Sequence, residues 1–160
     1  MQGSVILNAV AAKAVCLREA LQPEFRDYAH AVLANARAMA AVLIERGIEV
    51  LTGGTDTPLL LVDLRPLGLT GAAASDVLEA ARLTANKNGV PGDPQPPQIT
   101  SGLRFGASAG TARGMGQEDF TLVGDLVADV LLAMASGDAQ TPSRRARSAV
   151  VELVARYPIY

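Results

Sequence analysis

The hydrophobic pattern of this chain changes its period at Gly47, and that change constrains the fold more than any other feature. Upstream, apolar side chains recur every three to four residues, the spacing of an amphipathic helix, over residues 23–46. Pro23 suits the first position of this helix, and Gly47 suits its end. Downstream, residues 48–52 and 59–64 are short β-branched or apolar runs, separated by the turn sequence Gly53-Gly54-Thr55-Asp56. A helix followed by a β-hairpin is therefore predicted.

The rest of the chain predicts one more strand and several more helices. Residues 5–21 indicate a mostly buried helix, and Thr70 suits the N-cap of a helix over 71–82. A strand is expected at 100–106, and helices at 117–134 and 143–156 with a linker at 136–142. Strand 59–64 is apolar almost throughout, which predicts that both of its faces are covered. The expected fold is α/β (α+β), with a small, mainly antiparallel sheet covered by helices.

Composition excludes several classes of protein. The chain has 160 residues, a formal net charge of -2 and 19% charged residues, which argues against a nucleic-acid partner. No apolar run approaches the roughly 20 residues that span a membrane, and no signal peptide is indicated. The single cysteine, Cys16, is expected to be a small buried side chain, consistent with a cytoplasmic location. A helical pattern begins directly after Ser4, which suggests that the chain is cut from a longer protein.

Arg104 is the strongest candidate for a binding residue. It lies between Leu103 and Phe105 in an apolar strand, so its side chain points away from theirs. An arginine at such a position either faces solvent or an ion-pair partner, or binds an anion. Its planar guanidinium can hold a carboxylate by two parallel hydrogen bonds.

The remaining polar features have structural explanations that compete with functional ones. Asn86 and Asn88 suit a helix cap or a turn, or contact with a ligand. The loop 89–98 contains prolines at 91, 94, 96 and 97, and would be a stiff wall for a site. His30 is the only histidine, so no metal site is expected. Glu118-Asp119 is expected to begin a helix rather than form a catalytic pair, and Arg144, Arg145 and Arg147 to be solvated.

Four groups of motifs, in order, resemble serine hydroxymethyltransferase. They cover nearly the whole chain: Met1-Gln2-Gly3 with Ala11-Ala12-Lys13-Ala14-Val15 and Glu19-Ala20-Leu21-Gln22-Pro23-Glu24-Phe25; Gly53-Gly54-Thr55-Asp56 with Leu61-Val62-Asp63-Leu64 and Leu69-Thr70-Gly71; Asn86-Lys87-Asn88 with Val90-Pro91 and Asp93-Pro94; and Thr100-Ser101-Gly102-Leu103-Arg104-Phe105-Gly106 with Thr111 and Arg113-Gly114. The ending Arg156-Tyr157-Pro158-Ile159-Tyr160 also resembles that family's C-terminus.

The resemblance implies the C-terminal portion of a fold-type I pyridoxal-phosphate transferase. Residues 1–46 would be the helical segment that ends the large domain and joins it to the small one, and residues 47–160 would be the small C-terminal domain. The family converts serine and tetrahydrofolate to glycine and methylene-tetrahydrofolate, reversibly, in one-carbon metabolism. The implied partners are the large pyridoxal-phosphate domain and a second copy in a homodimer.

Carried over residue by residue, the resemblance assigns roles to three groups. Arg104 would bind the substrate carboxylate, and Asn88 would contact the folate pterin. The stretch Pro96-Pro97-Gln98 stands where the family has its Ser-Pro-Phe folate contact, and keeps only the middle proline. Gly3 and Ser4 stand where a Gly-Gly pair reaches the cofactor phosphate of the partner subunit. No catalytic residue is assigned.

Departures from the family pattern concern the substrate preference and the lysine that binds the cofactor. Ser4, Asn8 and Thr57-Pro58 differ from the family's usual residues and suggest a paralogue related to α-methylserine hydroxymethyltransferase. Neither lysine, Lys13 or Lys87, matches the position of the Schiff-base lysine, which would lie upstream. The isolated chain is therefore expected to form no internal aldimine. The alternative to an enzyme part is a non-catalytic interaction or pseudoenzyme module with the same fold.

Overall fold

A computed structural model describes residues 6–138 and 140–159 of the chain. Gly3 and Ser4 lie outside these residues. The described parts contain a four-stranded sheet, a short 3-10 turn at Arg65–Leu67 and helices on one side of the sheet. The elements are α1 Leu7–Ala20, α2 Pro23–Glu45, β1 Glu49–Leu51, β2 Leu59–Asp63, α3 Gly71–Ala80, β3 Asn86–Asn88, β4 Gly102–Gly106, α4 Ser108–Ala112, α5 Gln117–Ser136 and α6 Gln140–Arg156. This mixed architecture confirms the predicted fold class.

The sheet has the strand order β1-β2-β4-β3, and each of these neighbouring pairs is antiparallel. One face of the sheet belongs to the hydrophobic core, because Val50, Val62, Leu103 and Phe105 are all buried. Helices α2, α3, α5 and α6 contribute much of the rest of that core. These four helices therefore lie on one side of the sheet, and its other face is the one on which a site could form.

Helix α2 begins and ends where local sequence signals place it. Pro23 is its first residue, and Gly47 follows its end with φ of 78°, a backbone conformation that glycine adopts without strain. Two polar side chains fix α2 to later elements. The buried Asn35 donates hydrogen bonds to Thr111 Oγ1 and the Met115 carbonyl, and Arg46 bonds two carboxylates of α5. These links hold α2 against α5 and the segment around α4.

Two predictions about the residues of helix α1 were wrong. Residues 5–21 were expected to be mostly buried, but every residue of α1 is exposed, including Leu7 at 79% and Leu17 at 66%. Cys16 was expected to be buried and is exposed. Both errors have one cause: the apolar composition indicates burial, but within the described residues the neighbouring elements leave this helix uncovered. The predicted boundary at residue 46 concerns the domains of a longer protein and stays a prediction.

Three further details differ from the sequence-based predictions. Asn86 and Asn88 form the edge strand β3 rather than a cap or a turn. The linker predicted at 136–142 is shorter, because α5 reaches Ser136 and α6 begins at Gln140. Strand β2 was expected to be covered on both faces, but Leu59 is 46% exposed and Leu61 is half-buried. In the described part of the chain, no helix combines the length and apolarity needed to cross a membrane.

Candidate functional site

The open face of the sheet carries Arg104. Strand register places Arg104 directly opposite Leu61 on β2 and Asn86 on β3, and Leu61 is opposite Leu51 on β1. Because opposed residues point to the same face, these four side chains form one row across the sheet. Arg104 is exposed in this row, as its alternation with two apolar neighbours predicts.

An open depression of about 470 Å³ surrounds the Arg104 side chain. Asn88, which the sequence also predicted as a site residue, lines the same depression. Its other walls are strand β2 and the connection between β1 and β2, through Leu51, Thr52, Gly54, Thr55, Asp56, Thr57, Leu59, Leu60 and Leu61. The structure thus brings together two predicted site residues that are 16 positions apart in sequence.

Arg104 has no protein partner in this depression. Across residues 6–138 and 140–159, no side chain or carbonyl pairs with its guanidinium by a hydrogen bond or an ion pair. A guanidinium has five N–H donors and stays charged at physiological pH. An exposed cation of this kind beside apolar strand residues and an amide is suited to a small anion, and above all to a carboxylate, which accepts two parallel hydrogen bonds.

Asn88 is half-buried at the end of β3. Its Nδ2 atom donates to the Gly89 carbonyl at 2.8 Å, so the amide is turned toward its own following residue. The Oδ1 atom is left to accept a hydrogen bond from a ligand. An amide in this position can contact the N–H edge of a heterocycle.

The connection between β1 and β2 forms the rim of the depression. The predicted turn at Gly53-Gly54-Thr55-Asp56 lies within it, and both glycines have positive φ, of 83° and 147°. Arg37 of α2 holds this rim from behind, donating to the Thr55 carbonyl at 3.3 Å and to Asp56 Oδ1 at 2.8 Å. The rim is therefore fixed to the helical layer rather than to the sheet alone.

The proline-rich loop between β3 and β4 is organised by one carboxylate. Asp93 accepts hydrogen bonds from the backbone N–H groups of Val90, Gln95 and Ser101, and from the Ser101 hydroxyl at 2.7 Å. The Ser101 hydroxyl and these N–H groups hold the pKa of Asp93 well below its usual range. The stretch Pro96-Pro97-Gln98 lies exposed farther along the same loop.

Asp93 was missed as an important residue by the sequence analysis. The signal was present in the sequence Pro91-Gly92-Asp93-Pro94, since an aspartate among turn residues commonly bonds nearby backbone N–H groups. Its bonds to Ser101, across the loop, could not be inferred from that local signal.

The two lysines do not reach the depression. Lys13 is exposed on α1, and Lys87 lies on β3 opposite Leu103. Leu103 points into the core, so Lys87 projects from the face opposite to that of Asn88 and Arg104. Neither side chain fits the role of an amine that forms a Schiff base with a cofactor in this depression.

The other basic residues considered from the sequence are exposed on helices. His30 is exposed on α2, and Arg144, Arg145 and Arg147 are exposed on α6. The part of the chain that the structure describes contains no group of three or more His, Cys, Asp or Glu that could hold a metal ion.

Asp119 lies in the first turn of α5 and fixes the C-terminal segment. Its carboxylate accepts hydrogen bonds from the Gly116 N–H, the Arg156 guanidinium and the Tyr157 hydroxyl. Burial would raise the pKa of Asp119, but the Tyr157 hydroxyl and the other donors outweigh it, and the pKa is lowered. The same hydrogen bond raises the pKa of Tyr157.

Known proteins of one family match this chain along most of its length. The family model described as "Serine hydroxymethyltransferase" matches residues 1–127. The chain belongs to the serine hydroxymethyltransferase family. It is 51% identical to the serine hydroxymethyltransferase of Paramagnetospirillum magneticum, 51% to that of Sphingopyxis alaskensis and 52% to that of Zymomonas mobilis. Each alignment covers 100% of this chain but 38% of the relative, so the chain spans little more than a third of these curated serine hydroxymethyltransferases and matches their C-terminal portion.

Proposed function

We propose that this chain supplies the substrate-carboxylate and folate contacts of a pyridoxal-phosphate-dependent serine hydroxymethyltransferase. The reaction would convert serine and tetrahydrofolate to glycine and methylene-tetrahydrofolate, reversibly. The upstream portion of such an enzyme would complete the active site, in a homodimer with a cytoplasmic location. The observation that carries this proposal is the unpaired, exposed Arg104 in the depression that Asn88 also lines.

Arg104 would bind the α-carboxylate of serine or glycine. It projects from a central strand whose register is fixed by β2 on one side and β3 on the other. The backbone beneath the guanidinium is therefore rigid, and little freedom is lost when a carboxylate binds. A bidentate arginine-carboxylate pair also fixes the orientation of the amino acid about its carboxylate, which a single point charge would not do.

Asn88 and the loop with Pro96, Pro97 and Gln98 would form the folate side of the site. Asn88 lies beside Arg104 on the open face, and its Oδ1 atom can accept from a pterin N–H. The prolines stiffen the exposed segment that follows, so that it could be a preformed wall. Gln98 replaces the aromatic residue of the family's usual stretch, and would offer an amide where the family offers a ring.

The cofactor amine must come from elsewhere in such an enzyme. Pyridoxal phosphate supplies the electron sink for cleaving the bond between the α-carbon and the hydroxymethyl group. Neither Lys13 nor Lys87 faces the depression, so this chain would hold the amino acid rather than the cofactor aldehyde. Gly3 and Ser4 would offer backbone N–H groups to the cofactor phosphate of the partner subunit.

A chimera tests this function directly. The C-terminal portion of the Paramagnetospirillum magneticum enzyme is replaced by this chain, to which it is 51% identical over 162 aligned residues. We expect the chimera to convert serine and tetrahydrofolate to glycine, and Arg104→Lys to raise KM for serine by about 10- to 100-fold, as loss of a charged hydrogen bond predicts. The control is Lys87→Arg, on the opposite face. A folded chimera without turnover, or one unaffected by Arg104→Lys, would contradict the proposal.

The same assay also tests which substrate the chimera prefers. Thr57 lines the depression and differs from the family's usual residue, as does Pro58 beside it. We propose that these positions favour α-methylserine. Turnover of serine and α-methylserine by the chimera decides the matter, and a clear preference for serine would contradict it.

The second candidate function is a non-catalytic binding module. The absence of a lysine from the described walls of the depression favours it for the chain alone. Calorimetry with glycine and serine on the 160-residue chain tests it, and Arg104→Ala is the control for binding in this depression. Binding without a partner that supplies a lysine would support the module.

A further inference from the structure

The proline-rich segment between β3 and β4 makes few backbone hydrogen bonds of its own: Asp93 N–H donates to the Val90 carbonyl, and the Ile99 and Thr100 N–H groups donate to the Pro96 carbonyl. Residues 91–98 include Pro91, Pro94, Pro96 and Pro97, none of which has an N–H group. A segment of this kind is stiff at each proline but has few donors with which to fix its path. A side-chain acceptor can supply links that the backbone carbonyls of the segment do not.

Asp93 supplies that acceptor with both carboxylate oxygens. Oδ2 accepts from the Val90 N–H at 3.1 Å and from the Ser101 N–H at 2.8 Å. Oδ1 accepts from the Gln95 N–H at 2.9 Å and from the Ser101 hydroxyl at 2.7 Å. One side chain therefore joins the start, the middle and the end of the loop.

These contacts connect the loop to both strands of the site. Val90 lies two residues after Asn88, and Ser101 lies three residues before Arg104. Gln95 immediately precedes Pro96, the first residue of the stretch proposed to contact folate. Ser101 is itself 3% exposed, so the far end of the connection is anchored in the core. Asp93 thus links the parts of the loop to one another, and the backbone bonds from Gly71 and Ala72 N–H to the Thr100 and Ile99 carbonyls fix the end of the loop to α3.

We propose that Asp93 is a positioning residue for the folate side of the site. It would touch neither proposed substrate; it would act by fixing the path of residues 94–98 in the loop that follows Asn88. This inference rests on the proposed function for the identity of the ligand, but the anchoring of the loop can be tested separately. Arg104 does not depend on Asp93, because its strand is held by register with β2 and β3.

Asp93→Asn is the sharpest change, because it keeps the size of the side chain and removes one acceptor. One carboxamide position carries an NH₂ group, which cannot accept a hydrogen bond. In one orientation this group faces the Val90 and Ser101 N–H donors, and in the other it faces the Gln95 N–H donor and the Ser101 hydroxyl, which can turn to accept. Ser101→Ala is the milder variant, since it removes one bond and keeps three. Asp27→Asn, on the exposed face of α2, is the control.

Hydrogen exchange on the 160-residue chain tests the anchoring. We expect Asp93→Asn to speed amide exchange at Val90, Gln95 and Ser101, whose N–H groups donate to Asp93, by about tenfold, the effect of losing a charged hydrogen bond. Ser101→Ala should act in the same direction and less, and Asp27→Asn should have no effect. Exchange in α2 and α5 should stay unchanged in all three. Unchanged exchange in the loop of both Asp93→Asn and Ser101→Ala would overturn the proposal.

Steady-state kinetics on the chimera test the positioning role. We expect Asp93→Asn to raise KM for tetrahydrofolate about tenfold and to leave KM for serine and kcat within about twofold. An equal rise in KM for both substrates would overturn the positioning role. Faster amide exchange in the loop without any change in KM for tetrahydrofolate would also overturn it. A chimera that turns over no serine before mutation would refute the proposed function, while the exchange result would still decide whether Asp93 anchors the loop. If Asp93→Asn does not fold, Ser101→Ala gives the same comparison.

Discussion

Gly102 allows β3 and β4 to come together at the site, and Gly102→Ala should separate them. An added Cβ would lie 2.6 Å from Val90 Cγ1, 2.8 Å from the Val62 carbonyl and 2.9 Å from the Asn88 carbonyl. Two of these atoms are backbone of the neighbouring strands, so a side-chain rotation cannot relieve the clash. Overpacking of this kind lowers the free energy of unfolding by about 1–3 kcal/mol. Replacing glycine by alanine also restricts the unfolded chain, but that stabilises the fold by only about 0.4–1 kcal/mol.

Gly106→Ala is the matched control on the same strand and the same face. Its Cβ would meet only Leu59 Cδ2 closely, at 3.2 Å, and that atom is the end of an exposed, flexible side chain. Urea unfolding of both variants, followed by circular dichroism, gives the two free energies of unfolding. We expect Gly106→Ala to be neutral or slightly stabilising, and Gly102→Ala to lose about 1–3 kcal/mol, or about 2–4 °C of Tm for each kcal/mol. Equal stabilities of the two variants would refute the packing argument.

Three further predictions concern regions away from Arg104. Stability should fall as the pH drops below about 4, because carboxylates with lowered pKa values stabilise the fold only while ionised; acid titration followed by circular dichroism checks this, and Asp93→Asn should flatten the loss. Leu17→Glu on the uncovered α1 should reduce concentration-dependent association of the chain in light scattering, and an unchanged mass would contradict this. Tyr157→Phe should lower the free energy of unfolding by removing the hydroxyl that donates to Asp119, whereas Tyr28→Phe, which loses a bond to a neutral carbonyl, should lower it less in the same urea assay.

The helices could be predicted from local signals because those signals act through local physics. Pro23 and Gly47 bound α2 through the backbone conformations that each residue favours. Thr70 caps α3 by accepting from the Ala73 N–H at 3.3 Å, as its residue type predicts. Short elements without such signals were missed, and the five-residue helix α4 is the clearest example.

Strand β3 could not be predicted, because its own sequence does not favour a strand. Asn and Lys have low β propensity, and Asn86-Lys87-Asn88 indicates a turn when it is considered alone. The strand forms because β4 offers a free edge, against which these three residues pair in register. Tertiary context therefore overrides local preference at the segment that carries a proposed folate contact.

Part of the candidate site could be predicted from the sequence, because successive side chains of a strand point to opposite faces of the sheet. A charged residue between two apolar ones in a strand must point away from the core, so Arg104 could be identified before its surroundings were known. Its closeness to Asn88 follows from pairing between strands, and the anchoring by Asp93 follows from the path of a loop. Neither could be inferred from spacing along the chain, although the family resemblance had already marked Asn88.

Part of the uncovered apolar surface lies on the face of the sheet that carries the candidate site. Leu59 and Leu61 are on the face that carries Arg104, and neither is buried, while α1 exposes its apolar side chains as well. The helices of this chain cover the other face of the sheet completely enough to bury Val62 and Leu103 at 0% exposure. Since the chain spans 38% of its relatives, we expect the remainder of such an enzyme to cover the Arg104 face. Covering would exclude water from the guanidinium, and its bond to a carboxylate would then be far stronger than in the open depression.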